Sequence, residues 1–514
     1  MQLQQKFIKI EKKKKNKIAV YDQATGKKYT YNKLLIASII LAKKISTHEE
    51  GRIGVMLPSS AGCMITILAT LMSGKTPVMI NYSTGARENC IYAQEKCTFE
   101  TIVTSKKMLR KIGVKPIKGM IYIEDILQKI SLIDKIMAAS IVKLPAKIIG
   151  RMFYNGTIEE DIVILFTSGS ESEPKAVQLS HKNINHQVLN MTSMLELKSN
   201  EIFIANLPFF HVFGLTVDFW LPILNGFSIV AHPNPLDFKN IVDSIKKYGV
   251  TIMVGTPTFY YGYLRKSRKG DFDSVRIAIS GADKLQEHIR ELYLKKHNLD
   301  VMEGYGTTET SPVVSTNIPG QFKPGSIGKP IPNVRVKIVD RKSGKELSAN
   351  SVGKILVKGD LVMSGYLGDL EQTSLRVRDG WYDTGDMGMI DNDGYLYHKG
   401  RLRRFVKIGG EMVSLVKIEE ELEYLIPDEA VCCVVDVPNP VKGADIIAAF
   451  TTRDVKKKRI MKQLQKKIPK IAMPKEFYVI EDIPMMGSGK VNFREVEKIC
   501  REMRKVKKHP SKLK

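Results

Sequence analysis

Along the chain, short apolar runs rich in β-branched residues alternate with stretches of helical period. The runs read "GRIGVML" from Gly51, "TIVTS" from Thr101, "DIVILF" from Asp161, "EIFIANL" from Glu201, "FSIVA" from Phe227, "TIMVG" from Thr251 and "VRIAIS" from Val275. Helix-like segments follow them, such as "LDFKNIVDSIKKYG", where apolar positions recur every three or four residues. That rhythm predicts βα units with largely parallel sheets over roughly the first 330 residues. Residues 325–400 differ: they are strand-rich, with turn signals "RKSG", "RDGW" and "DNDG", and predict a small antiparallel sheet or barrel. After "GYLYHKGRLRRFVKIGG" a helix "SLVKIEEELEYL", strands "AVCCVVDV" and "IIAAFTT" and a Lys-rich helix form a new section. The predicted fold class is α/β. A large N-terminal domain, residues 1–399, holds two βα-layered subdomains and the small β-barrel or sheet; residues 400–514 form a small α+β C-terminal domain.

A length of 514 residues and an apolar content of 43% support more than one domain with a sizeable core. The charge balance adds something, because Lys and Arg exceed Asp and Glu by 26. Such a surface favours an acidic partner, such as an acidic protein, an anionic lipid or a nucleic acid, although a general lysine bias would look the same. Cys63, Cys90, Cys97, Cys432, Cys433 and Cys500 include no Cys-x-x-Cys pair, which excludes the common zinc and redox motifs and suits a reducing cytoplasm. The start, "MQLQQKFIKIEKKKK", lacks the apolar core of a secretory signal. The apolar stretch from Phe203 to Ala231 carries His211, Asp218 and two prolines, and reads as buried core rather than a membrane span.

Five segments carry candidate chemistry. "TSGSESEPKA" follows the strand "DIVILF" and precedes a helical pattern that Ser180 can cap. Thr167, Ser168, Gly169, Ser170 and Lys175 offer hydroxyls, backbone N–H groups and one cation, a set that suits phosphoryl oxygens. It is not a Walker loop, and an ordinary polar turn would share its composition. "SGADKL" places Gly281 and Ala282 at the end of a strand, where open parallel sheets form their ligand crevice. In "MEGYGTTET", Gly304 and Tyr305 can lie against a base, while Thr308 and Glu309 suit Mg2+. Asp386, in "GWYDTGDMG", can accept both hydroxyls of a ribose, or serve only a hairpin turn. "GRLRRFVKIGGEMVS" and "PMMGSGKVNFREV" complete the series; Lys490 in the latter is uncrowded beside Gly489.

In this order the five segments resemble the adenylate-forming superfamily, which includes acyl-CoA synthetases, luciferases and peptide-synthetase adenylation domains. The likeness covers nearly the whole chain, and "NLPFFHVFG" also fits the family pattern, with His211 beside the acyl site. Ser172 and Ala176 depart from it where glycines are usual, and Glu303 stands where Gln or Asn is common. The resemblance implies ATP and Mg2+ and a two-step reaction: a carboxylate attacks the α-phosphate to give acyl-AMP and pyrophosphate, then a thiol displaces AMP. It implies that Thr308 and Glu309 hold nucleotide and metal, that Asp386 and Arg401 take the ribose, and that Lys490 bridges carboxylate and phosphate. It further implies that the C-terminal domain is mobile about a hinge at Arg403.

Within the superfamily, "FTSGSESEPKAVQLSHKNI" and especially "GEMVS" resemble the synthetase half of bacterial acyl–acyl-carrier-protein synthetase / 2-acylglycerophosphoethanolamine acyltransferase. That likeness implies a fatty acid substrate, acidic acyl carrier protein as acceptor, and no nucleic acid. Arg403, Arg404, Lys407 and the run Lys456, Lys457, Lys458 and Arg459 are the expected docking charges. "HPNPLD", from His232, matches an acyltransferase motif by chance, because it lies inside the adenylating domain. A CoA ligase of the same fold is the alternative; a non-catalytic binding protein is more remote, since Glu309, Asp386, Arg401 and Lys490 are all present. Residues 126–156 resemble an insertion of that branch. There Lys143, Lys147 and Arg151 recur every four residues opposite Ile141, Leu144 and Ile148, in a basic amphipathic pattern broken at Pro145. It reads as a peripheral contact with the inner face of a membrane, on an otherwise cytoplasmic protein, or as a helix packed on the protein itself.

Overall fold

The computed structural model describes residues 1–154, 156–167, 174–401, 404–408, 411–427, 430–439, 443–452, 454–486 and 489–508. Two large sheets dominate. The nine-stranded sheet runs, in spatial order, Lys329–Pro330, Val313–Thr316, Val301–Gly306, Ile277–Ser280, Ile252–Gly255, Ile202–Ala205, Ser228–Ala231, Ile18–Asp22 and Lys27–Thr30. The five strands from Val301–Gly306 to Ser228–Ala231 pair in parallel. Every residue of Ser228–Ala231, Ile252–Gly255 and Ile277–Ser280 is buried. Helices cover both faces of such a sheet, so its strands read as unbroken apolar runs rather than alternating ones. The C-terminal ends of these strands converge on Leu207, Thr256, Gly281 and Gly304, at the rim where ligands bind in open α/β sheets.

The seven-stranded sheet runs Gly365–Tyr366, Ala176–Ser180, Asp161–Phe166, Thr76–Met79, Arg52–Val55, Ile102–Thr104 and Met120–Tyr122. A smaller, five-stranded antiparallel sheet spans Arg335 to Arg401, as the turn signals predict. Beyond it, the apolar clusters built on Ile408 to Ala472 and on Cys433 to Cys500 contain no residue from before 400. Most of the stretch from Phe203 to Ala231 is buried, including a π-helical turn at Gly214–Trp220. Among the described residues no helix is long and apolar enough to cross a membrane.

Two expectations change. The polar loop after Phe166 does not lead directly into a helix: Ala176–Ser180 returns as a strand antiparallel to Asp161–Phe166, and only then does helix His181–Met194 begin. Ser180 caps that helix as predicted, accepting from the Asn183 N–H. Ala176, at a usual glycine position, is a strand residue opposite Phe166, where no left-handed backbone is demanded. The basic pattern of 141–151 breaks at Pro145, as expected. Helix Leu132–Ile141 stops before Pro145, and Ala146–Met152 forms a separate short helix, because proline blocks helix continuation. Arg404 is no surface docking charge: it ion-pairs with Glu419, donates to the Val434 carbonyl at 2.8 Å and packs on the Phe493 ring.

Candidate active site

A cavity of about 350 Å3 opens where the strand ends of the nine-stranded sheet meet the loop after Phe166, the antiparallel sheet and the segment carrying Lys490. It brings together Thr167, Lys175, His211, Gly281, Ala282, Gly304, Tyr305, Thr308, Glu309, Arg401 and Lys490 from points scattered over more than three hundred residues. Asp386 stands behind this wall, joined to two of its members, Tyr305 and Arg401. Ser168, Gly169, Ser170 and Ser172, and Arg403, the expected hinge, lie outside the described residues.

The two ends of the phosphate loop are clasped. The Thr167 N–H donates to the Lys175 carbonyl and the Lys175 N–H to the Thr167 hydroxyl, both at 3.0 Å. Lys175 Nζ donates to Gln372 Oε1 at 2.6 Å and lies over the Tyr366 ring, 4.8 Å from its centre. Tyr366 in turn donates from its hydroxyl to Glu309 Oε1 at 2.8 Å. One aromatic residue therefore ties the loop cation to the candidate metal carboxylate. Tyr366 reaches this place because Gly365–Tyr366 pairs with the returning strand at Gln178 and Val177.

Asp386 is buried. Tyr305 donates its hydroxyl to Oδ2 at 2.6 Å, and Arg401 Nε and His398 Nε2 stand 3.2 and 3.6 Å from Oδ1. Burial pushes its pKa up, but His398, Arg401 and Tyr305 outweigh burial and hold the carboxyl at about 2. Among the described residues, Oδ1 has no aligned hydrogen-bond donor. A buried ionised oxygen with spare acceptor capacity suits ligand hydroxyls. Tyr305 thus acts through its hydroxyl as well as its ring face.

Lys490 lines the same cavity. Its ammonium is disfavoured first by burial and then by Arg401, and favoured by Asp283, Asp386 and Glu309; the net shift is downward. Gly489 makes the approach possible. Its φ is 78°, its carbonyl accepts from the Thr258 hydroxyl at 3.0 Å, and a Cβ there would stand 2.5 Å from Thr256 Oγ1. Lys284 with Glu420 and Gln286 with Glu423 add polar ties across the same junction. His211 is partly buried, its pKa lowered to about 3 by burial and then by Lys490, so it is neutral here; among the described residues its Nε2 has no partner. Ala282 holds a left-handed φ of 72° in the turn after Ser280. Such backbone strain, about 1–3 kcal/mol, concentrates at functional turns.

For a divalent cation the site offers Glu309 and Thr308, all-oxygen ligands of the type Mg2+ prefers. Among the described residues no three acidic, His or Cys side chains cluster to hold a metal. The fit is therefore to Mg2+ carried largely by phosphate oxygens, with one carboxylate from the protein. The residues that pattern reading missed are Tyr366, Arg376, Tyr382 and Thr384, all on the cavity wall. Tyr382 and Thr384 lie within the same "GWYDTGDMG" that singled out Asp386; Tyr366 and Arg376 carried no local signal.

Glu303, the departure noted in the sequence, is held by the Leu285 N–H at 3.1 Å. Burial is the main influence and raises its pKa from the ordinary 4.5 to about 7. The folded state then keeps a proton that the unfolded chain has released. The resulting stability is present below pH 4.5 and is lost as pH rises to about 7. Glu303→Gln keeps an acceptor for Leu285 and removes the titration. It is expected to match wild type at pH 4 and to be more stable at pH 8, by about 3 kcal/mol, in denaturant unfolding at the two pH values.

Fold and cavity together define a two-domain α/β protein with a cleft at the strand ends. Residues 7–367 match the family model for AMP-binding enzymes, and residues 420–490 match the C-terminal domain of the same enzymes. The chain belongs to the AMP-binding enzyme family, whose members use ATP with Mg2+. It is 32% identical over 346 residues to a long-chain-fatty-acid–CoA ligase of Bacillus subtilis, covering 65% of this chain and 61% of that protein. It is 28% identical over 511 residues to 4-coumarate–CoA ligase 2 of Petroselinum crispum, covering 93% of this chain and 90% of that one. ATP-bound MatB from Rhodopseudomonas palustris shares the fold, with a TM-score of 0.84 at 24% identity over 98% of this chain and 100% of that one.

Proposed function

We propose that this enzyme activates an apolar carboxylic acid, with a long aliphatic chain as the first candidate, as its acyl-adenylate and transfers the acyl group to the thiol of coenzyme A. One observation carries this reading: a single cavity is lined both by the polar Lys175, Glu309, Arg401 and Lys490 and by the apolar Met191, Leu207, Val217, Val254, Ile279 and Val313. The polar side chains match a triphosphate and ribose; the apolar ones match an acyl chain. His211 lines the same cavity, neutral, and so adds no charge beside the carboxylate.

In the first half-reaction the substrate carboxylate oxygen bonds to the α-phosphorus of ATP and the bond to pyrophosphate breaks. Lys490 neutralises the charge that gathers between the two groups, and Lys175 that on the departing phosphates. Asp386 fixes the ribose and so the line of attack. Mg2+, when bound by Glu309 and Thr308, supplies further neutralisation of phosphate charge. In the second, the thiol sulfur bonds to the acyl carbon and AMP leaves. Coenzyme A is the acceptor favoured by the fatty acid, coumarate and indoleacetate ligases among the relatives. Acyl carrier protein is the second reading, favoured by the 26 excess positive charges.

The reading is tested by pyrophosphate exchange into ATP with a series of straight-chain acids and with coumarate. Exchange that rises with aliphatic length supports it, and a preference for coumarate or a dicarboxylate contradicts the aliphatic reading. A second test concerns the two-step division. Arg403→Pro is expected to leave that exchange largely intact while thioester formation falls, since proline removes the torsional freedom a hinge needs. Measuring the two half-reactions separately checks this.

A further inference from the structure

Helix Leu132–Ile141 is inside out. Asp134 and Ala138 are buried, with Asp134 ion-paired to Lys43 and Lys44 of the helix beneath. The opposite face carries Leu132, 71% exposed, Ile133, 74%, Ile136, 58%, and Met137, 37%. These positions, spaced one, three and four apart, form one stripe. Ile148 and Met152, one turn apart on the next short helix, are exposed as well. A soluble helix normally turns such residues inward, and a contiguous exposed apolar face marks an interaction surface.

The charges around the stripe say what covers it. Lys129, Lys135, Lys143, Lys147 and Arg151 are all exposed. The one acidic residue between 126 and 152 is Asp134, which points inward and is already paired. Apolar side chains ringed by lysine and arginine are the signature of a surface that lies in the headgroup region of an anionic bilayer. The same segment also walls a second, larger cavity of about 1560 Å3, lined by Ile36, Ile65, Ile126 and Ile130. That cavity shares Pro208 with the active-site cavity and reaches Gly489, beside Lys490.

We propose that the face formed by residues 127–152 docks the enzyme on anionic lipid bilayers, with the apolar stripe in the headgroup layer and the basic residues on the lipid phosphates. Docking does not depend on which acid the enzyme activates. Where that acid is a long-chain one, docking sets the large apolar cavity against the phase in which such acids dissolve.

The test is sedimentation of the full-length protein with vesicles of phosphatidylcholine and phosphatidylglycerol in equal parts, and with vesicles of phosphatidylcholine alone. Binding is expected to the first and not the second, and to weaken with salt. Each basic residue near an anionic leaflet is worth about a fivefold change in partitioning, so Lys147→Glu/Arg151→Glu should reduce binding by more than about tenfold. Ile133→Glu/Ile136→Glu should do the same through lost apolar insertion. Both variants should keep the wild-type thermal midpoint, because all four side chains point to solvent. Three results would overturn the proposal: equal binding to both vesicles or to neither; variants that bind as wild type does; or a wild-type dimer in light scattering that the isoleucine variant dissolves, which would make a second copy of the chain the occupant.

Discussion

Replacing Lys490 by alanine is expected to slow acyl-adenylate formation by about 10²–10³-fold, the cost of losing one preorganised charge at a transition state. Its place on the cavity wall is enforced by Gly489, whose left-handed backbone and contact with Thr256 and Thr258 leave no room for a side chain. The ammonium feels the attraction of Asp283, Asp386 and Glu309 and the repulsion of Arg401. It therefore contributes most when a carboxylate and a phosphate meet beside it. Thioester formation from supplied acyl-adenylate involves no such meeting and should be spared. Equal loss in both half-reactions would show that Lys490 supports the fold or the nucleotide instead.

Asp386→Ala is expected to lower kcat/KM for ATP by about 10²–10⁴-fold. Two hydrogen bonds from ribose hydroxyls to a buried carboxylate are worth about 1.5–3 kcal/mol each. The substitution also leaves the Tyr305 hydroxyl and Arg401 without their partner inside the protein. Asp386→Asn keeps an acceptor and should fall between alanine and wild type. A change confined to the carboxylic acid, with ATP unaffected, would remove Asp386 from the ribose site.

The parallel sheets were legible because strands covered on both faces must be apolar throughout, and the helices between them amphipathic. The glycine-bounded segments at the strand ends were legible for a related reason: Gly306 has no room for a Cβ, which would stand 1.8 Å from the Pro312 carbonyl oxygen. Tyr366 was not legible. Its role comes from pairing with Val177, 189 residues earlier in the chain, and no local pattern encodes a partner at that distance. Arg404 read as surface charge because sequence does not show that Glu419 and Phe493 close over it. The stripe on Leu132–Ile141 was missed for the same kind of reason. Helical period identifies an apolar face, but only packing decides whether it turns inward.

The most direct measurement of the reaction is a product analysis with ATP, Mg2+, a long straight-chain fatty acid and coenzyme A. The proposed chemistry yields AMP, pyrophosphate and acyl-CoA in equal amounts, with acyl-adenylate accumulating when coenzyme A is left out. ADP in place of AMP, or AMP formed with no dependence on the acid, would contradict it.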